Sequence, residues 1–318
     1  MRNNNILQRI VFIVLFSLIP LSLALSCTSF IVHPEGSTIA VTGRSYDYHV
    51  ESAFNTHIYE PGEVISSIEK SVSGKVMHRF ITVNNVIGDA EIAFEGMNAA
   101  GISISGNLAD ASYPSGKKGP VLSTDDIIRY VLAHAGSIDE VAQLFSDMNV
   151  SSKWNYHYVI FDQNGNSLVV EFKDNEACLF KNMTSILTNN PDLEFQLNNL
   201  KIYANLHNFN AHDVSAETGN QFHGTGMHGL PGDWMAPSRF VRGTELLKNC
   251  SEYVTSSDEA VVLAAKILDS ISLIKGIDLG NSKDGAPIYT QIQVIKDLVN
   301  HILYIKEYDD FEWKIIKF

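Results

Sequence analysis

A long uncharged run that stops just short of a cysteine constrains this chain more than any other feature. Ile10 to Leu25, IVFIVLFSLIPLSLAL, carries no charge. It is shorter than the roughly 20 apolar residues a spanning helix needs, and Pro20 interrupts it. Arg2 and Arg9 lie before it, and Ala24 and Ser26 put small residues three and one positions ahead of Cys27. A basic start, an apolar middle and a small-residue cut site are the parts of a secretory signal. The expectation is that residues 1–26 are removed, and that residues 27–318 fold as one domain in the periplasm or outside the cell. The alternative for the segment is an uncleaved membrane anchor.

Cleavage there would make Cys27 the first residue, which can mean a lipid anchor, half of a disulfide, or a nucleophile. The chain has three cysteines, Cys27, Cys178 and Cys250, too few and odd in number for a disulfide framework. Cys178, in the strand-like run EACLF, reads as a buried apolar residue. A lipid-anchored binding protein would need a lipobox and a flexible linker. Ala24 and Leu25 fit a lipobox poorly, and CTSFIVH reads as a strand at once. The nucleophile reading has a chemical rationale. A free α-amine has a pKa of about 7.7–8, so it can serve as base to the thiol of its own residue. Such a cysteine needs a cation to favour the thiolate and a carboxylate to orient the ammonium. GRSYD, seventeen residues on, offers Arg44 and Asp47 at the end of the next strand-like run. In a hairpin that run would return beside Cys27.

The rest of the chain reads as strands, helices, strands, helices and strands. CTSFIVH, STIAVTGRSYDY, HRFITVNNV, AEIAFEG and ISISGNLA have strand patterning, with a tight turn at MNAAG. STDDIIRYVLAHAG and SIDEVAQLFSDM are helical, the second opening with Ser137 and Glu140 at capping-box spacing. YHYVIFDQNGNSLVVEF is a hairpin turning at Asn164-Gly165, and ACLF and SILTNN are further strands. Helices are expected over 192–206, from about Ser238 to Asn249 and from about Asp258 to Leu273. Residues 220–237 are glycine-rich and irregular, and YTQIQVIKD, HILYIKEY and FEWKIIKF end the chain as strands. Hairpin-connected strands with segregated helices indicate an α+β fold of antiparallel sheets. With 36 acidic against 23 basic residues, a formal net charge of −13, and no basic stripe, nucleic acid is excluded as a partner. His223 and His228 lack a third ligand at a recognisable spacing. No metal or cofactor is expected.

Taken together, CTSF, GRSYD, GMNAAGISISG, LTNNPDLEFQLNNLKIY and GMHGLPGDWMAPSRFVR resemble, in order, the motifs of the choloylglycine hydrolase family, the bile salt hydrolases and penicillin V acylases. The resemblance spans essentially all of 27–318. It implies the N-terminal-nucleophile hydrolase fold, a four-layer αββα sandwich, and hydrolysis of a non-peptide linear amide with an apolar acyl group. Carried over by residue, it implies Cys27 as nucleophile and base, and Arg44 and Asp47 supporting thiolate and amine. It implies Asn189 on the oxyanion and Arg239 completing the polar ring. The family's oligomers suggest a homotetramer, while the poor lipobox and the short interrupted apolar run are the grounds for expecting no stable membrane anchor. The family has a variable residue seven positions after the glycine of the turn, whose backbone N–H joins the oxyanion hole. Counting from Gly101 reaches Leu108, and a one-residue slip would present Asn107 instead. Asparagine is usual there in bile salt hydrolases, and tyrosine or tryptophan in penicillin acylases. LPGDW and PSRFVR look closer to the bile salt branch. Penicillin V and N-acyl homoserine lactones are the alternative substrates.

Overall fold

The computed structural model describes residues 26–67, 73–87, 90–151, 154–210, 213, 215–219, 224–280 and 285–318. The apolar run read as an export signal and His223 lie outside them. The chain opens with β1 (Thr28–Val32) and β2 (Val41–Tyr48), then β3 (Ala53–Tyr59) and a small ribbon of β4 (Val64–Ser66) and β5 (Ser73–Lys75). Next come β6 (Phe80–Ile87), β7 (Ala90–Asn98) and β8 (Ile102–Leu108). The short β9 (Val121–Ser123) leads into α1 (Thr124–His134) and α2 (Ile138–Asp147), and β10 (Asn149–Ser151) pairs back in parallel with β9. The middle of the chain holds β11 (Tyr156–Asp162), β12 (Ser167–Lys173), β13 (Glu176–Lys181), β14 (Ile186–Leu187), α3 (Leu193–Leu200) and a single turn, α4 (Ser215–Thr218). The last part holds α5 (Ala236–Cys250), α6 (Ser257–Ile271), β15 (Tyr289–Asp297), β16 (Ile302–Glu307) and β17 (Lys314–Lys317).

Two antiparallel sheets stack face to face with helices outside, the expected α+β architecture. One sheet runs β14-β1-β2-β15-β16-β17 and the other β13-β12-β11-β8-β7-β6-β3. Alternation explains the layers, because successive strand residues point to opposite faces. In β11, Val159 and Phe161 join the core between the sheets, while Tyr158 and Ile160 join the core under α1 and α2. A strand buried on both faces reads as a continuous apolar run, which is why YVIF and LVV stand out in the sequence. Several signals act as read. Ser137 caps α2 by accepting the Glu140 N–H, and Gly101 and Gly165 take positive φ in their turns.

Other readings shift. The helix expected over 192–206 ends at Leu200 in a 3-10 turn over Lys201–Tyr203. Cys178 lies on β13, the edge of its sheet, and is partly exposed rather than buried. The strand β3 carries no clear alternation, since it is a half-covered edge strand on the opposite side. All three cysteines are free thiols.

A buried ion pair joins the two sheets. Lys296 of β15 sets its Nζ 2.5 Å from Glu95 Oε2 of β7, and Ser105 Oγ donates to the same oxygen at 3.4 Å. Removing one partner leaves an uncompensated buried charge, at a cost of about 3–5 kcal/mol, whereas replacing both with apolar residues can be neutral. Lys296→Met is therefore expected to destabilise the fold by about 3–5 kcal/mol in urea unfolding, with most of the loss recovered in the Glu95→Leu/Lys296→Met double variant. A single-variant cost below about 1 kcal/mol would contradict this account.

Candidate active site

The site forms where one sheet splits. The β7–β8 ladder runs from Met97↔Ser103 to Glu95↔Ser105 and stops. The next rung would join Phe94 to Gly106. Instead Arg44, reaching across from β2, donates Nη1–H to Phe94 O at 2.9 Å and Nη2–H to Gly106 O at 2.7 Å. Phe94 is also the extra residue of a β-bulge, since Glu95 faces Val83 while Ala93 faces Asn84. A bulge bends its strand and ends regular pairing. The guanidinium thus fills the place of a rung while β7 bends away from β8. A cleft of about 720 Å³, counting its solvent-filled mouth, opens at the split. Cys27, Arg44, Tyr46 and Phe94 line it from the layer between the sheets, and Asp125, Ile128 and Tyr158 from the side of α1.

Cys27 stands immediately before β1 and is 4% exposed. The register Ser29↔Arg44 brings β2 back beside it, as a hairpin requires. Alternation then divides the GRSYD residues. Arg44 and Tyr46 face the other sheet, whereas Ser45 and Asp47 face α5. The carboxylate and the cation therefore act on Cys27 from opposite faces of β2. Burial pushes the Cys27 thiol up, and Arg44 pulls it down. The Asp47 charge opposes the thiolate, but the Asp47 backbone N–H and Arg239 favour it.

Arg239 is the hub of the outer face. It lies on α5, fully buried. Its Nη1 donates to Cys27 O at 2.9 Å and to Thr28 Oγ1, its Nη2 to Asn189 Oδ1 at 3.3 Å, and its Nε to Trp234 O at 3.0 Å. Asp47 Oδ2 lies 4.0 Å from it. Thr290 Oγ1 accepts the Leu273 N–H, so its own hydrogen goes to Asp47 Oδ1, 2.5 Å away. Burial nevertheless lifts the Asp47 carboxyl to about 6, against the pull of Arg239, the Thr290 hydroxyl and Arg44.

Asn189 follows β14, the neighbour of β1. With Oδ1 held by Arg239, its Nδ2 donates one hydrogen to Leu108 O at 2.9 Å. An amide nitrogen has a second hydrogen to give. Leu108 offers another donor. Ala109 N–H is spent on Asn155 O of the adjoining chain, and in an antiparallel ladder bonded positions alternate. Leu108 therefore turns both its N–H and its C=O to the opposite edge, toward Asn189. Two neutral donors are thus left on the side where Asn189 meets Leu108, and neutral donors are the kind of group that can stabilise an oxyanion.

The structure thus gathers Cys27, Arg44, Asp47, Asn189, Arg239 and Leu108. Leu108 lines the cleft. Asn107 does not: it is buried between the sheets, donating to Leu187 O at 3.1 Å and Thr188 O at 3.2 Å. His228 is exposed, and no group of three or more His, Cys, Asp or Glu side chains able to hold a metal occurs among the described residues. Thr28, Thr290 and the aromatic walls Tyr46, Tyr48, Trp154, Tyr156 and Tyr158 escaped the sequence reading. The walls carry a signal that alternation exposes, in the i, i+2 tyrosines of SYDYH and YHY.

A family model for linear amide C-N hydrolases of the choloylglycine hydrolase family matches residues 27–318. The conjugated bile acid hydrolase of Lactobacillus acidophilus is 27% identical over 286 residues, 81% of this chain and 88% of that protein. A variant of the conjugated bile acid hydrolase from Clostridium perfringens shares the fold with a TM-score of 0.79 at 20% identity, covering 92% of both chains. The penicillin V acylase of Agrobacterium tumefaciens shares it with a TM-score of 0.74 at 21% identity, covering 92% of this chain and 86% of that one.

Asp47 bears on the pH dependence. It is ionised above about pH 6 and neutralised below, so its hold on Arg239 is lost on acidification. An ammonium at Cys27 would pull that midpoint lower. The kcat/KM for amide hydrolysis is expected to fall as pH drops, with its acid limb at or below about 6. Thr290→Val removes a hydrogen bond that favours the carboxylate and should move the limb up by about one unit. A limb that stays put or moves down in a kcat/KM–pH profile would show that Asp47 is not the group titrating.

Proposed function

The chain belongs to the choloylglycine hydrolase family of linear amide C-N hydrolases, and from that premise we propose that it is an exported bile-salt-type amide hydrolase whose nucleophile is Cys27. The observation that carries this reading is the buried Cys27 with Arg44, Asp47 and Arg239 acting on its thiol, and Arg239 bonded at once to Cys27 O and to the Asn189 side chain that meets Leu108. Cleavage of the Ser26–Cys27 bond frees the Cys27 amine beside its thiol. The amine takes the thiol proton while sulfur attacks the amide carbonyl. Leu108 N–H and the second Asn189 Nδ2–H receive the oxyanion. The ammonium then protonates the leaving nitrogen as the C–N bond breaks, and an acyl group stays on sulfur. A water, deprotonated by the amine, cleaves that thioester and restores Cys27. Arg44 favours the thiolate, and Asp47 and Arg239 hold the start of the chain in place.

Burial of Cys27 and the strand that begins at Thr28 oppose the lipid-anchored alternative, because an anchor needs its sulfur on a flexible, exposed end of the chain. The cleft favours an apolar acyl group. Glycine- and taurine-conjugated bile acids are the first choice, on relatives such as that of Lactobacillus acidophilus. Penicillin V is a second reading, supported by Tyr46, Tyr48, Trp154, Tyr156 and Tyr158 in the walls and by Leu108 where an asparagine would mark the bile salt branch. A homotetramer outside the cytoplasm completes the proposal.

Intact mass of the exported protein is expected to correspond to residues 27–318 with an underivatised cysteine first. Cys27→Ala should reduce hydrolysis to background while folding normally. A panel of glycine and taurine conjugates, penicillin V and N-acyl homoserine lactones should show turnover fastest on a bile acid conjugate. A mature chain beginning elsewhere, or a diacylglyceryl mass on Cys27, would sink the mechanism.

A further inference from the structure

Two buried ionisable side chains behind the site take no part in that mechanism. His157 of β11 is 1% exposed and Glu171 of β12 is 2% exposed. The ladder that pairs Tyr158 with Val170 brings them side by side, with His157 Nδ1 3.7 Å from Glu171 Oε1. Each also grips the segment that carries Asn189. His157 Nε2 lies 2.7 Å from Thr188 O. A carbonyl can only accept, so that nitrogen carries the hydrogen and donates it. Asn107 Nδ2 donates to the same oxygen at 3.2 Å. At the far end, Glu171 Oε1 accepts the Leu193 N–H at 2.6 Å. Lys173 Nζ lies 3.0 Å from Glu171 Oε2 and 2.8 Å from Asp192 Oδ2.

We propose that His157 and Glu171 are positioning residues for the oxyanion donor, clamping residues 188–193 at both ends so that the Asn189 amide meets Leu108. The inference rests on the proposed role of Asn189. The Thr188 carbonyl belongs to the peptide unit that enters Asn189, and that unit is planar. Fixing the oxygen from β11 therefore fixes the plane from which the Asn189 side chain departs. Burial disfavours the Glu171 carboxylate, but contact with His157, the Leu193 N–H and Lys173 outweigh it and hold its pKa below the usual range. It remains an acceptor for Leu193 rather than a competing donor. Tolerances are narrow, since a shift of about 1 Å at a reacting group can cost about 10²-fold in rate.

The test separates positioning from mere stability. His157→Leu removes the donor to Thr188 O, whereas His157→Gln can place an amide N–H near the same point. With glycocholate or penicillin V, whichever the mature protein hydrolyses, His157→Leu should lower kcat by about 10²-fold with KM little changed. The rate of Cys27 alkylation by iodoacetamide, followed by peptide mass, should hold, because that reaction needs no oxyanion donor. His157→Gln should recover most of kcat. In an Asn189→Ala background, His157→Leu should cost nothing further, since residues that act as one unit are not additive. Full additivity, or a wild-type kcat per alkylatable Cys27 with only a lower Tm, would overturn the proposal. Glu171→Gln, of nearly the same shape, gives the same reading should His157→Leu fail to fold. Cys27→Ala is run in parallel. Its turnover would refute the catalytic reading itself, whereas an inactive Cys27→Ala with an unaffected His157→Leu would refute only the clamp.

Discussion

Arg44 bound to the carbonyls of Phe94 and Gly106 is the contact on which the remainder depends. A guanidinium buried without a carboxylate in hydrogen-bonding contact is costly, and here it is tolerated because its planar fork meets two backbone acceptors left open by the split sheet. The exchange works both ways. Without the split there would be no acceptors for Arg44, and without Arg44 two buried carbonyls would stand unpaired. The ring of Phe94, 5.0 Å from the guanidinium carbon, adds a cation–π contact. One insertion thereby opens the cleft and supplies the positive potential that opposes the rise of the Cys27 pKa on burial.

The strand β2 works as a partition. Its inner face carries Arg44 and Tyr46 toward the cleft, and its outer face carries Ser45 and Asp47 toward α5. Cys27, just before the paired part of β1, is reached from both sides. Gly43 is what lets β1 and β2 close. A Cβ at Gly43 would lie 2.4 Å from the Phe30 ring across the ladder. The first letter of GRSYD thus serves packing, while Arg44 and Asp47 are the ones whose charges act on the Cys27 thiol. A second bulge, at Gln291 on β15, ends the partition on the other side. Gln291 ties off the chain after β2 by donating to Tyr48 O and Val50 O and accepting from Ser52 N–H. Beside it, Thr290 holds Asp47.

What the sequence made legible was local. The β1–β2 hairpin, the Asn164-Gly165 turn, the Ser137 cap and both long C-terminal helices follow from periodicity and turn chemistry within a short window. The pairing of β2 with β15 joins residues about 240 positions apart, and nothing in either run names its partner. Bulges are equally silent, because an extra residue changes pairing and not composition. The site residues came into view through ordered motifs, yet their division between two faces needed the register. His157 and Glu171 read as ordinary members of an apolar hairpin, and only Thr188 and Leu193, folded against them, give them a task.

Leu108 shows why such a site can keep its chemistry while changing its substrate. The donor proposed for the oxyanion is its backbone N–H, fixed by the ladder to β11 and by Asn189 on its carbonyl. Neither constraint involves the side chain, which faces the cleft among Trp154, Tyr156 and Ile128. The backbone can therefore stay in place while the side chain is exchanged. Asn107 has the opposite character. Its side chain is committed to Leu187 and Thr188, so a change there strikes the scaffold of Asn189 and not the cleft. Adjacent residues of one strand thus answer to different pressures because their side chains leave by opposite faces.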